Sequence, residues 1–347
     1  MSDNVSDKEQ QQQMQEISIC GDVWLEIFAF VSPLQLGHLM ALISDRFDVM
    51  VDEHFKLKKW SLSWLQIRRA IGGNGAQIVK NFAEWLPIPQ GPLPTKVIGF
   101  KEIEISYVDQ NVIEFLQRIR RLFDSAGTIV AIYTSDKQSR SWDIIWQKIW
   151  PFVGDNICGF SLDASQLDRL RQFSPTVLRN CTNLRSIDSA KLFPEFPAED
   201  NAIASSRQAV AKWLITPRGD GVPKMLCCCV YSGGMDGIKG AFVNASEPVN
   251  FIVSFENVEW VDDFVQFELE NNLTAERLTL RQMDEYVWLL VRCPIAREED
   301  KWTNWEKEAI DLDWWDYQWN CISIDFKDWD IGDGMVKAKA GRMCLIA

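Results

Sequence analysis

The cysteine triplet Cys227-Cys228-Cys229 is the densest group of metal-binding side chains in the chain. Neighbouring residues on a strand point to opposite faces, and no second cysteine pair lies at the spacing of a zinc site. The triplet therefore predicts a buried strand rather than a metal centre. Histidine, the commonest general base, occurs only at His38 and His54, which disfavours a hydrolase or a zinc enzyme.

A second group of reactive side chains is acidic. Its carboxylates are Glu306, Glu308, Asp311, Asp313 and Asp316. They lack the central glycine and terminal glutamate of a calcium-binding loop, so the pattern favours the polar face of a helix. No stretch of the sequence pairs a nucleophile with a base, so we expect no catalytic residues, no metal site and no cofactor.

The charge and composition of the chain limit its partners and its compartment. The net charge is −13 at pH 7, and the isoelectric point is about 4.8. Nucleic-acid binders need a basic surface to displace counterions, so we expect no nucleic-acid partner. No apolar run is long enough for a membrane span, and no apolar segment typical of a secretory signal lies near residue 1. Nine cysteines without such a signal are typical of a reducing compartment, so we expect the cytoplasm or the nucleus.

The segment 17–58 carries a dense helical pattern with more apolar surface than it can bury by itself. Asp22 begins a first helix with two adjacent apolar stripes. The residues of these stripes are Val23, Trp24, Ile27, Phe28 and Val31. Ser32 forms a capping box for a second helix, and Ser44 can cap a third. The surplus apolar surface predicts an obligate partner.

These helices resemble the F-box family. Its pattern combines an acidic helix start, an aliphatic helix, a proline after a turn, and an aromatic residue with a basic neighbour. The residues at the positions of this pattern are Ile19, Cys20, Asp22, Val23 to Val31, Pro33, Leu36, Leu42, Arg46 and Phe47. The chain departs from the pattern at Cys20, where the family prefers proline, and at Phe47, where tryptophan is commoner.

The resemblance implies a docking mechanism. The first helix and the turn after it would insert into the small Skp-type adaptor of a cullin–RING ubiquitin ligase, driven by apolar burial. The residues expected at this contact are Ile19, Val23, Trp24, Ile27, Phe28, Val31, Pro33 and Leu36. The rest of the chain would hold a protein target near the ubiquitin-charged enzyme, so that proximity accelerates transfer. The chain itself is then a non-catalytic subunit.

The segment 97–256 alternates short strands with helices at a period of roughly 27 residues, which is typical of a leucine-rich-repeat solenoid. One stretch, Leu178-x-x-Cys181-x-Asn183-Leu184-x-x-Ile187, resembles the cysteine-bearing repeat that follows many F-boxes. An ordinary doubly wound α/β domain gives the same alternation and stays open as an alternative. In a solenoid the strands line the concave surface, so we expect the target on the strand side and on the tryptophan-rich region that follows.

Three further segments complete the expected order. A disordered leader spans 1–16, and 59–96 combines a hairpin that turns at Asn74-Gly75 with a stiff proline-rich linker. Alternating apolar residues and a helix at about 298–318 predict a small α+β, tryptophan-rich domain over 257–330, with its last strand over Cys321–Phe326. The predicted fold is therefore mixed α and β: a small all-α F-box module, an α/β leucine-rich-repeat-like solenoid and a small α+β C-terminal domain.

The segment 331–347 is predicted to be a flexible tail. It ends in Cys344-Leu345-Ile346-Ala347, which is the C-a-a-X pattern of a prenyl acceptor. An unrelated tail is the alternative interpretation of the same residues. We expect association with a membrane only if Cys344 carries a lipid.

Two functions stay open. The first is a substrate-recognition adaptor of a Skp–cullin–F-box ubiquitin ligase, because the chain also looks like members of the F-box families that are expanded in nematodes. The second is a non-catalytic repeat scaffold protein whose F-box is vestigial, since Cys20 replaces the usual proline. Binding to the Skp-type adaptor separates the two functions.

Overall fold

The computed structural model describes nine stretches of the chain. They are residues 20–28, 43–57, 60–80, 84–92, 97–123, 127–229, 234–256, 265–311 and 320–335. The chain divides into two compact units, 1–60 and 61–347. This division lies beside the predicted end of the helical module at residue 58.

The first unit contains two described helices, α1 (Gly21–Phe28) and α2 (Asp45–Leu57). Acidic residues lie in the first turn of each helix, where they favour the positive end of the helix dipole. Ser44 Oγ accepts a hydrogen bond from the Phe47 backbone N–H at 3.4 Å, which confirms the predicted cap of this helix. The predicted second helix after Ser32 lies outside the described residues.

The second unit begins with an antiparallel meander. Its strands are β1 (Trp60–Arg69), β2 (Ala76–Lys80) and β3 (Glu84–Pro87). Arg69 pairs with Ala76, and Gly75 adopts a φ of +79°, a backbone conformation that favours glycine. The predicted hairpin is therefore confirmed. The linker expectation needs correction, because Glu84–Pro87 pairs with β2 and the next residue, Ile88, is buried.

One sheet of thirteen described strands runs through the second unit. Its central strands are β4 (Val97–Ile105), β5 (Thr128–Ile132), β6 (Ile157–Ser161), β7 (Ser186–Ser189), β8 (Lys224–Cys229) and β9 (Phe251–Glu256). Strands β5 to β9 lie side by side in chain order, and each neighbouring pair is parallel. The mixed α and β class is confirmed.

Helices connect these parallel strands. They are α3 (Gln110–Phe123), α4 (Ser139–Ile144), α5 (Trp150–Val153), α6 (Ala164–Phe173), α7 (Val177–Asn180), α8 (Ser206–Leu214) and α9 (Met235–Val243). A π-helical turn, Ile145–Ile149, joins α4 to α5, and a 3₁₀ turn follows at Gly154–Asn156. Ser205 and Gln208 form a capping box at the start of α8, so the sequence fixes where this helix begins.

The last strands extend the same sheet rather than forming a separate domain. Strands β10 (Phe267–Asn271), β11 (Glu276–Gln282) and β12 (Trp288–Pro294) continue it antiparallel beyond β9. Strand β13 (Cys321–Ile324) lies between β4 and β5, parallel to both. The expected separate domain at 257–330 therefore needs correction. Among the central strands β4 to β9, the predicted sequential order is interrupted once, because β13 fills the space between β4 and β5.

The two faces of the central sheet differ in composition. Four apolar residues pair in register on the first face: Phe160, Ile187, Leu226 and Val253. The residues that follow them, on the second face, are Ser161, Asp188, Cys227 and Ser254. Helix α9 packs on the first face, since its Phe242 ring lies 5.2 Å from the Arg292 guanidinium. Helix α10 (Glu299–Ile310) packs on the second face, where Trp302 joins a cluster with Met225 and Ile252.

Candidate functional site

The candidate docking residues on α1 fall into two groups. Val23 and Ile27 expose 46% and 39% of their surface, respectively. Trp24 is half-buried, and Phe28 is fully buried at 0% exposure. The remaining predicted contacts, Ile19, Val31, Pro33 and Leu36, lie outside the described residues.

Phe28 belongs to the interior of the helical unit, which corrects its predicted role at the surface. Its ring lies 6.3 Å from Phe47 and 5.7 Å from His54, both on α2. Trp24 approaches Phe47 edge to face at 4.8 Å. The physical reason is the shortness of α1: eight residues need tertiary contacts to remain helical, and the largest side chains supply them. The exposed pair Val23 and Ile27, called here the α1 outer face, is what a partner could contact.

A cavity of about 390 Å³ lies beside the amino ends of β7 and β8. Helices α7 and α8 and the loop 215–223 contribute its walls. Residues Leu178, Cys181, Asn183 and Leu184 of the repeat-like stretch also line it. Sequence reasoning singled out this stretch as a repeat and did not predict that it borders a cavity.

Four cationic side chains line this cavity together with two carboxylates. Arg218 forms a two-pronged ion pair with Asp220, at 3.0 and 2.6 Å. This contact holds the pKa of Asp220 low, at about 2. Arg179 pairs with Asp200 at 3.2 Å. Within the described part of the chain, Lys212 and Lys224 form no ion pair, so the cavity carries an excess of positive charge.

Lys224 is the most enclosed of these cations, with 5% of its surface exposed. Its Nζ donates hydrogen bonds to the backbone carbonyls of Trp213 and Thr216, the second at 2.6 Å. The ammonium also lies 5.1 Å from the centre of the Trp213 ring. Burial, followed by the charge of Arg218, lowers the pKa of Lys224 to about 7.

The cysteines of the described region provide no reactive thiolate at this cavity. Burial raises the pKa of Cys181 to about 12, so its thiol stays protonated at neutral pH. In the triplet, Cys228 is buried on the first face of the sheet, and Cys227 is half-buried on the second. This alternation is what the sequence predicted. Among the described residues, no group of three or more histidine, cysteine, aspartate or glutamate side chains is placed to hold a metal ion.

Comparisons with family models, curated proteins and solved structures return no match. In the described part of the chain, no helix combines the length and apolarity needed to cross a membrane. Cys344 lies outside the described residues, and its lipidation stays a prediction. The target-binding face proposed for the strand side also stays a prediction.

Sequence reasoning missed the cavity lysines. One signal was present: Lys224 opens an otherwise apolar strand, Lys-Met-Leu-Cys-Cys-Cys. A lysine at the first position of a buried strand is unusual, because lysine is rarely buried without a partner. That local anomaly could have marked Lys224 as a residue with a special role.

Proposed function

We propose that this chain is the substrate-recognition adaptor of a Skp–cullin–F-box ubiquitin ligase. In this proposal the helical unit docks onto a Skp-type adaptor through the α1 outer face, Val23 and Ile27. The sheet of the second unit holds a protein target. The chain forms no covalent intermediate, and ubiquitin transfer is accelerated by proximity alone.

The observation that carries the proposal is the exposed apolar pair on α1. Val23 and Ile27 lie one turn apart on a helix whose other side is already packed against α2. Exposed aliphatic side chains one turn apart gain free energy when a partner covers them, at about 25 cal/mol per Å² of buried apolar surface. This supports the F-box resemblance of the same residues.

The second unit is suited to recognition rather than to catalysis. Its parallel strands begin at residues 128, 157, 186, 224 and 251, each followed or preceded by a connecting helix. Such strand–helix units present an extended surface over which a protein partner can be held. Burial keeps the Cys181 thiol protonated, and Lys224 donates hydrogen bonds to backbone carbonyls.

Co-purification with a Skp-type subunit tests the proposal. Val23→Asp combined with Ile27→Asp places two charges on the α1 outer face, and we expect recovery of the complex to fall by at least about tenfold. Both side chains are exposed, so the variant should keep its circular dichroism spectrum. A matched control is Ile203→Asp combined with Leu273→Asp, which changes two exposed aliphatic residues of the second unit and should bind normally.

The alternative function is a non-catalytic scaffold with a vestigial F-box. Its supporting feature is Cys20, which is exposed at the start of α1 where the family has proline. A scaffold would not bind the Skp-type subunit, and the variants at Val23 and Ile27 would behave like the control. The adaptor proposal would be overturned if folded wild-type protein did not co-purify with the Skp-type subunit. It would also be overturned if the variants at Val23 and Ile27 co-purified as well as the control.

A further inference from the structure

The cavity beside β7 and β8 collects positive charge in a strongly acidic chain. The whole chain carries a net charge of −13. At the cavity, the two arginine–aspartate pairs neutralise one another, and Lys212 and Lys224 remain without a carboxylate among the described residues. Two lysines without counter-ions at one cavity are a feature that requires an explanation.

Lys224 is the more informative of the two. A lysine ammonium has three N–H donors, and the backbone carbonyls of Trp213 and Thr216 accept two hydrogen bonds from it. Carbonyl dipoles compensate only part of the cost of burying a charge, and a buried ammonium normally has an anionic partner. Burial, and then the nearby charge of Arg218, lower the pKa of this ammonium. A carboxylate or phosphate in the cavity would supply both the charge and a further acceptor.

Apolar side chains form much of the remaining cavity wall, beside four polar ones. Trp213, Leu178, Leu184 and Ala209 line it, and all four side chains are buried. A volume of about 390 Å³ falls within the range of pockets for organic ligands and is far more than an inorganic anion fills. The cavity therefore matches a molecule with one charged group and an apolar body.

We infer that this cavity binds an organic anion, a carboxylate or phosphate monoester on an apolar body. The charged group lies at Lys224, with Lys212 adding positive charge, and the apolar body packs against Trp213 and Leu178. Arg179 and Arg218 hold the surrounding walls through their aspartate partners. This inference does not depend on docking to a Skp-type subunit.

A purely structural role for Lys224 is the competing explanation. Its two acceptors lie at and just beyond the carboxyl end of α8, where a lysine can satisfy the last carbonyls of a helix. In that case Lys224 supports the helix and no ligand follows. The two explanations differ in whether anions bind, and in whether binding needs the exposed Lys212.

Isothermal titration calorimetry of the full chain with three probes tests the inference. The probes are phenyl phosphate, 4-phenylbutyrate and the neutral 4-phenyl-1-butanol. We expect at least one anion to bind with a Kd below about 1 mM and the alcohol to bind at least about tenfold more weakly. The anion that binds more tightly identifies the charged group of the ligand as a phosphate or a carboxylate.

Variants locate the binding. Lys224→Met should weaken anion binding by at least about tenfold, and Lys212→Met by about threefold. Lys148→Met removes the same charge from an exposed position on the π-helical turn and should bind like wild type. If Lys224→Met fails to fold, Lys212→Met decides the question, because that side chain is exposed. Equal binding of the alcohol, anion binding unchanged in both lysine variants, or no anion binding would each overturn the inference.

Discussion

Trp24 and Phe47 meet edge to face with ring centroids 4.8 Å apart, and this contact joins the two described helices of the N-terminal unit. It places the aromatic side of α1 inward and leaves Val23 and Ile27 outward. The F-box pattern alone assigns both sides to the partner. Packing separates the two sides, so the proposed docking surface is narrower than the sequence suggests.

Phe28→Ala tests this division of α1. Because Phe28 is fully buried against α2, its truncation should destabilise the helical unit by about 3 kcal/mol. Hydrogen exchange followed by mass spectrometry should show faster exchange over α1 and α2 and unchanged exchange over β5 to β9. Val23→Ala is the control, since an exposed valine contributes little. Unchanged protection of α1 and α2 in the Phe28 variant would contradict the assigned packing.

A buried ion pair makes a second prediction about stability. Arg292 donates to Glu276 Oε2 at 2.7 Å, and Glu276 Oε1 accepts from the Val249 backbone N–H at 2.7 Å. Both side chains are about 2% exposed or less. Glu276→Gln leaves the arginine charge buried without its partner, so we expect a loss of about 3–5 kcal/mol in the free energy of unfolding by urea.

The control for that prediction is a surface pair. Glu298 and Lys301 form an ion pair at 2.9 Å with both side chains largely exposed. Glu298→Gln should therefore change the free energy of unfolding by less than about 0.5 kcal/mol. Equal effects of the two substitutions would show that Glu276 and Arg292 are not enclosed together.

Lys224 makes the stability of the fold depend on pH. Its pKa is lowered from 10.5 to about 7, so between these values the unfolded chain binds more protons than the folded chain. Stability from this group therefore rises as the pH increases from 7 towards 10.5. Compared with Lys224→Met, wild type should gain about 2 kcal/mol between pH 7 and pH 9. Urea unfolding of both proteins at pH 7 and pH 9 measures this gain. A difference in free energy of unfolding that stays the same at both pH values would refute the prediction.

Strand β13 makes a prediction about local opening. All four of its residues are buried, and it pairs with β4 and β5 on either side. Its amides should exchange as slowly as those of β5, because both depend on global unfolding. Ile322→Ala should speed the exchange of β4 and β5 together. Fast exchange of residues 321–324 in wild type would instead fit the separate C-terminal domain expected from the sequence.

The local features of this fold were predictable, and the long-range ones were not. The Asn74-Gly75 turn and the Ser44 cap are decided by residues within one turn of chain, and both occur as predicted. The strand at 321–324 was also predicted, but its neighbours are decided by pairing with residues of β4 and β5, which lie 219 and 192 positions earlier. The place of the lysines at a cavity was not predicted for the same reason, since burial of Lys224 depends on how α8 and its following loop pack.

The position of β13 has a consequence for synthesis of the chain on the ribosome. Strands β4 and β5 leave the ribosome long before residues 321–324, which must fit between them. Until then, β4 and β5 each present an unpaired edge, and open edges invite pairing with other chains. The central sheet therefore cannot be completed progressively from its amino end, as a chain of stacked repeats can. Nascent chains that stop short of residue 321 should be recognised as clients by cellular chaperones.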